Sequence, residues 1–120
     1  MKKQLFIVLL CLFGFNHANA QMLTTSKDTI QVVLENDEVK VTGYVSTPRK
    51  DVCGHGKHTH EPHLTIFLTD ASVTLTTADG KSQDFKIKAG TTLWSERDTH
   101  VAVNSGEKVT KLYLVELKKD

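Results

Sequence analysis

The sequence has few of the residues with which small domains form disulfides or restrict the backbone. Its 120 residues contain two cysteines, two prolines and one tryptophan. Cys11 lies in an N-terminal apolar run, so the rest of the chain has Cys53 alone and can form no internal disulfide. The fold must therefore rely on a hydrophobic core or on a bound metal. Cys53 is interpreted as an unpaired thiol, with an intermolecular disulfide or a place beside a functional site as alternatives.

An excess of charge of either sign is also lacking. The chain has 15 lysines and arginines against 14 aspartates and glutamates, which gives a formal net charge of +1. No basic patch or acidic tail stands out along the sequence. Nucleic acid is therefore excluded as an expected partner.

The longest apolar run is confined to the N-terminus. Lys2 and Lys3 precede an apolar run over residues 5–15, and an Ala-x-Ala sequence ends at Ala20. This order predicts a signal peptide over residues 1–20, because the run is too short to cross about 30 Å of hydrocarbon. We expect an exported chain, periplasmic or secreted, that begins at Gln21 and has no stable membrane association after cleavage. An uncleaved anchor is the alternative.

Cleavage would change the charge balance only slightly. Removal of the two lysines leaves 13 basic residues against 14 acidic ones, a net charge of −1. The first residues of the cleaved chain, 21–28, are polar and irregular, and they are predicted to be a flexible lead-in.

From residue 29 onward the chain consists of short strand-like runs separated by turn residues. Val39, Val41 and Val45 alternate with polar residues, as is typical of a half-buried strand, and Asp79-Gly80 is a hairpin signal. Eight runs are recognised: 30–34, 39–46, 64–68, 72–76, 83–87, 91–95, 100–103 and 111–117. With no amphipathic helix among them, they predict one all-β sandwich or barrel over residues 29–120.

Histidines form the most informative cluster in the sequence. His58, His60 and His63 fall within six residues, and His100 follows about forty residues later. A His-x-His pair on an extended segment points both rings to one side, and neutral imidazole is the commonest metal ligand in proteins. Nitrogen ligands argue against Ca and Mg. The expected cofactor is a divalent transition metal: Fe, Ni, Cu, Zn or Mn.

Two segments resemble the paired motifs of the cupin family. His58-x-His60 matches the histidine pair of the first motif, while Gly90, His100 and Asn104 match the second. The resemblance extends from residue 29 to residue 117. It implies a cupin-like double-stranded β-helix, or jelly-roll barrel, in which the matched histidines hold a metal. The glutamate usual in the first motif would fall at or beside Leu64, which cannot ligate.

His63 stands beside the position of the missing glutamate and could replace it. The predicted metal ligands are therefore His58, His60, His63 and His100. If His63 does not ligate, the other three leave an open coordination face, as in catalytic sites.

Three residues near these motifs are given more ordinary interpretations. His55 is expected at the surface, and Glu61 either in solvent or orienting a ligand imidazole. Trp94 is predicted to pack in the core under the barrel mouth, with stacking on a substrate as the alternative.

The cupin resemblance does not determine an activity, because one fold supports many functions. One hypothesis is a metal-dependent enzyme, for example an oxygenase acting on a small organic molecule. The other is a non-catalytic binding or sensor module for a small ligand or metal, which the missing glutamate and the lack of an acid–base residue slightly favour. A metal-free jelly roll that forms a homodimer is a third, weaker hypothesis.

Overall fold

The computed structural model describes residues 24–118, and nearly all of its regular structure is β-strand. The predicted signal peptide lies outside these described residues. The strands are β1 (Thr29–Glu35), β2 (Val39–Ser46), β3 (His58–His60), β4 (His63–Phe67), β5 (Ala71–Thr77), β6 (Ser82–Ile87), β7 (Thr92–Ser95), β8 (Asp98–Asn104) and β9 (Thr110–Leu117). Within the described range, no helix has the length and apolar character needed to cross a membrane.

The strands form two antiparallel sheets, which confirms the predicted all-β class. The five-stranded sheet has the order β1-β2-β9-β4-β7, and the four-stranded sheet has the order β3-β8-β5-β6. All eight predicted runs correspond to strands. The ninth strand, β3, is not among the eight predicted runs, because three residues are too few to show a strand period.

The core lies between the inner faces of the two sheets. Phe67, Leu112 and Leu114 come from the five-stranded sheet, and Val73 and Ala102 come from the four-stranded one. Leu112 is opposite Phe67 in the β4–β9 pairing, so their side chains share a face. Full burial of one such leucine stabilises the fold by about 1.5–3 kcal/mol. On β2 the core-facing residues are Thr42 and Tyr44, opposite Leu114 and Leu112, so the alternating valines of this strand lie on its other face.

Asn104, which matches the second cupin motif, is a structural residue. Its side chain is fully buried, and its Nδ2 donates to the carbonyl oxygens of Ser46 at 2.9 Å and Lys108 at 2.8 Å. Its Oδ1 accepts a hydrogen bond from the Gly106 N–H at 3.0 Å. These three bonds close the β8–β9 turn and fasten it to the end of β2.

The interpretation of Trp94 as a core residue was wrong. Its side chain is 53% exposed. The preceding residue, Leu93, faces the interior cavity, so strand alternation turns Trp94 to the outer face of the sheet. The sequence of β7 is short, and its two apolar residues, Leu93 and Trp94, fall on opposite faces, so the sequence does not show which face is buried.

Candidate metal centre

Pairing of β3 with β8 brings three of the predicted histidines together. His58 is directly opposite His100, and His60 is opposite Asp98. Paired residues in an antiparallel ladder share a face, so all three rings point into the barrel. The ring centroids of His58 and His60 are 4.6 Å apart, and those of His58 and His100 are 4.8 Å apart.

Cys53 completes this cluster. Its Sγ lies 3.4 Å from Nε2 of His58 and 3.4 Å from Nε2 of His100. One ligand atom from each of Cys53, His58, His60 and His100 can be chosen so that all four lie within 4.8 Å of one another. The sequence predicted Cys53 as an unpaired thiol and gave a place beside a functional site only as an alternative, since no strand pattern links it to the histidines. The Val52 N–H donates to the Ala102 carbonyl at 2.9 Å, and this bond holds the segment that contains Cys53 against β8.

Hydrogen bonds to Nδ1 fix the tautomers of two of these histidines. His58 Nδ1–H donates to the Gly56 carbonyl at 2.8 Å, and His100 Nδ1–H donates to the Asp98 carboxylate at 2.7 Å. In the neutral rings, Nε2 is then a lone-pair acceptor, and both lone pairs are directed at the Cys53 sulfur. Such Nδ1 partners are the usual means of orienting histidine ligands for a metal.

His60 has acceptors at both ring nitrogens. Its Nε2 lies 2.9 Å from the Cys53 carbonyl oxygen, and its Nδ1 lies 3.4 Å from Oε2 of Glu116 on the opposite sheet. Burial lowers the pKa of His60 and the neighbouring His58 adds to this, whereas the Glu116 carboxylate opposes it. The neutral His60 ring carries one N–H and can donate at that nitrogen only. The other nitrogen keeps its lone pair, which could bind a cation if the ring rotated away from the oxygen atom beside that nitrogen. Glu116 was not recognised from the sequence, where it lies 56 residues from His60.

Burial also determines the protonation of His58 and Cys53. It lowers the pKa of His58, mainly by desolvation of the charged ring. It raises the pKa of the Cys53 thiol to about 12, with help from the nearby Asp51, Asp98 and Glu116 carboxylates. At neutral pH the His58 and His60 rings are therefore neutral and Cys53 is a protonated thiol, so a metal ion bound to Cys53 would have to displace the thiol proton.

His63 lies on the opposite sheet from the other site histidines. Its ring centroid is 5.1 Å from that of His60, and its Nδ1–H donates to the Glu61 carbonyl at 2.7 Å. It is outside the group of four and lines the interior cavity. Ligation by His63 stays a prediction.

The remaining sequence candidates lie away from the cluster. His55 is exposed and lines a separate surface hollow beside Ile30 and Lys50. The Glu61 carboxylate accepts a hydrogen bond from Arg97 Nε at 3.1 Å. Glu61 orients the His63 ring, but through its backbone carbonyl at 2.7 Å and not through the carboxylate that the sequence suggested.

Gly54 leaves the space that the His58 ring occupies. A Cβ at this position would lie 2.9 Å from Cγ of His58, and the backbone φ is +150°. Any other residue would collide with the ring and strain the backbone. Gly54 is therefore part of the site, although the sequence showed only a glycine-containing loop.

A cavity of about 510 Å³ adjoins the cluster inside the barrel. Cys53, His63 and His100 line its polar end, and the rest of its wall is mostly aliphatic and aromatic. Phe85 and Leu93 face this cavity but are 38% and 45% exposed, so the cavity opens between β6 and β7. The arrangement could hold an apolar molecule with one polar group beside a bound ion.

Comparison with solved structures shows that the chain has the cupin fold. A cupin domain from Bordetella pertussis Tohama I superposes with a TM-score of 0.68 at 21% identity, covering 80% of this chain and 98% of its own. An RmlC-like cupin with a double-stranded β-helix from Methanocaldococcus jannaschii has a TM-score of 0.64 at 14% identity, covering 78% and 83%.

A third similar structure carries a functional name. The polyketide cyclase RemF from Streptomyces resistomycificus has a TM-score of 0.57 at 17% identity, covering 76% of this chain and 65% of its own. No protein-family model matches the sequence, and no curated protein is significantly similar to it. At these identities the comparisons establish the fold.

Proposed function

We propose that this cupin-fold chain binds one divalent transition metal through His58, His60 and His100. The observation that carries the proposal is the convergence of His58 and His100, whose Nδ1 hydrogen bonds direct both Nε2 lone pairs to one place. The donor set fits a transition metal, because it offers imidazole nitrogens and a thiol within 4.8 Å of one another. Ca and Mg, which prefer oxygen ligands, do not fit.

The cavity beside the cluster supports a second part of the proposal, binding of a small organic molecule. Its aliphatic and aromatic wall favours a largely apolar ligand, and its volume of about 510 Å³ is in the usual range for small-molecule sites. The polar end, with His63 and His100, would take the ligand's polar group. A bound ion would supply Lewis-acid polarisation at that end.

Metal content after purification tests the first part. We expect the wild-type protein to hold about one ion per chain and the His58→Ala and His100→Ala variants to lose it. His55→Ala is the matched control, since His55 is in the same loop region but outside the cluster, and it should retain the metal. Equal, sub-stoichiometric metal in all four proteins would refute the proposal.

An enzyme is the second candidate, and His63 is the observation that favours it. The His63 Nδ1–H donates to the Glu61 carbonyl, so Nε2 of the neutral ring is an acceptor, and the side chain lines the cavity. His63 could therefore take a proton from a substrate bound beside the metal. The structural similarity to a polyketide cyclase is compatible with a cyclic or polyketide-like substrate.

Turnover distinguishes the enzyme from the binding protein. Oxygen consumption by Fe(II)-loaded protein should be measured across phenols, diketones and thiols, alongside binding of the same compounds by calorimetry. An oxygenase requires consumption that falls in His63→Gln while metal content is kept. Saturable binding without consumption supports the non-catalytic module.

We further propose that the protein is exported with cleavage after Ala20. The support is the order of charged, apolar and small residues over residues 1–20. Mass spectrometry of protein recovered from the periplasm or medium should find Gln21 as the first residue. Recovery of the chain with residues 1–20 intact from the membrane fraction would favour an uncleaved anchor.

A further inference from the structure

We infer that Cys53 is the fourth protein ligand, so that the metal is held by one thiolate and three imidazoles. This inference rests on the proposed metal binding and specifies how the ion is held. The cysteine takes the place of the glutamate that the first cupin motif would supply, but it comes from five residues before His58 and not from the strand after it.

The distances in the cluster are those of a tetrahedral site. With metal–sulfur and metal–nitrogen bonds of about 2.3 and 2.05 Å, the sulfur and nitrogen ligands of a tetrahedral zinc ion are about 3.6 Å apart. The Cys53 Sγ lies 3.4 Å from Nε2 of both His58 and His100. Since the whole set lies within 4.8 Å, and two nitrogen ligands of a tetrahedral ion are about 3.3 Å apart, an ion would need to draw the ligand atoms together by at most about 1.5 Å.

Two ring nitrogens of the cluster face the same sulfur. Nδ1 of His58 and Nδ1 of His100 each donate to an acceptor of their own, so the Nε2 atoms of both rings are the ones directed at the Cys53 Sγ. Cys53 and His100 are 7% and 6% exposed, so this place is largely shielded from water. An ion bound here would take the sulfur and both nitrogens as ligands: the S–H bond breaks, the proton leaves to solvent, and a sulfur–metal bond forms.

A thiolate in the ligand set narrows the choice of metal. Thiolate sulfur favours Zn, Cu and Fe over Mn, which prefers oxygen ligands. Four protein ligands also complete a tetrahedral shell. A small molecule in the cavity would then have to bind the metal as its fifth ligand or pack against the ligating side chains. His63, which would not ligate the metal, could contact that molecule.

Cobalt(II) substitution in the full chain tests the inference. A thiolate ligand gives Co(II) a sulfur-to-metal charge-transfer band in the near ultraviolet, which imidazole alone does not produce. We expect the band in wild type and its loss in Cys53→Ala and Cys53→Ser, with affinity for Co(II) reduced at least about 100-fold, more than loss of an outer-shell partner costs. His55→Ala should keep the band.

The outcomes separate this inference from the proposed function. Co(II) bound by wild type without the band, and equally well by Cys53→Ala, would overturn Cys53 ligation and leave histidine binding intact. Failure of wild type to bind Co(II) or Zn(II) would overturn both. If the cysteine variants do not fold, X-ray absorption at the zinc edge of the loaded wild type decides: a sulfur neighbour at about 2.3 Å is expected, and a shell of nitrogen and oxygen neighbours alone would refute the inference.

Discussion

Three of the site histidines take their Nδ1 partner from two positions earlier in the chain. His58 uses the Gly56 carbonyl, and His63 uses the Glu61 carbonyl. His100 uses the Asp98 side chain, which strand alternation places on the same face. Asp98 was not recognised from the sequence, although its Asp-x-His spacing is visible there. The two backbone carbonyls leave no such trace, because they depend on the local turn and not on residue type.

At the scale of single residues, Gly54→Ala should weaken metal binding more than it weakens the fold. The new Cβ would meet the His58 ring at 2.9 Å and displace the Nε2 lone pair. We expect a loss of metal affinity of about 10- to 100-fold, the range for residues that orient a ligand, measured by competition with a chromogenic chelator. Gly56→Ala is the control: its φ is +57°, but a Cβ there meets nothing within 4 Å. Equal losses in both variants would mean that backbone strain, not the clash, is responsible.

Protonation of the buried histidines should make the stability of the metal-free protein depend on pH. The folded-state pKa values of His58 and His60 lie below the usual value. Below about pH 6.5 the unfolded chain therefore binds protons that the folded chain does not, and the free energy of unfolding falls with pH. The lowered carboxyl pKa values of Asp28 and Glu35 affect stability only at lower pH.

This dependence can be measured by urea unfolding at pH 7.5 and pH 5.5 with chelator present. The loss of stability on acidification should shrink in His58→Gln, because glutamine does not titrate, and should persist in His55→Gln. An unchanged loss in His58→Gln would show that another group dominates the pH dependence.

At the scale of elements, the apolar alternation made most of the fold predictable. Strands such as β2 and β9 repeat apolar residues at every second position, and that period locates them within a residue or two. β3 has three residues and owes its existence to pairing with β8. The same pairing explains the site: His58, His60 and His100 could be predicted because a motif marks them. Cys53 could not, because it joins the cluster from an irregular loop five residues before His58, and Glu116 could not, because it reaches His60 from the opposite sheet.

The turn after β8 gives a prediction at this scale. Asn104→Ala would leave the buried carbonyls of Ser46 and Lys108 without their donor. We expect a loss of about 2–3 kcal/mol in the free energy of unfolding, measured by urea denaturation. Asn36→Ala is the comparison, because Asn36 also bonds turn N–H groups but is exposed, and it should cost less than about 1 kcal/mol. Similar losses at both sites would contradict the assignment of Asn104 as a buried brace.

At the scale of the whole molecule, the proposed site would link the edge strand β3 and the loop before it to β8, to which β3 is otherwise joined by one short ladder. β3 is a three-residue edge strand whose only ladder partner, among the described residues, is β8. An ion held by β3, β8 and Cys53 would fasten this edge and the loop before it to the sheet. Metal binding should therefore be visible as stability and not only as metal content.

Zinc binding should raise the thermal midpoint substantially. At a free Zn(II) concentration 100 times the dissociation constant, binding to the folded state alone adds about 2.7 kcal/mol, or about 10–20 °C for a domain of this size. Calorimetry should show this shift in wild type and its loss in His100→Ala, while Mg(II) at the same concentration should have no effect. An unchanged midpoint in wild type with one ion bound would mean that the ion binds folded and unfolded chains equally, and hence that the cluster does not form the site. A shift that His100→Ala abolishes requires instead that the ion be held where β3 and β8 meet, since that is where His100 fixes its Nε2.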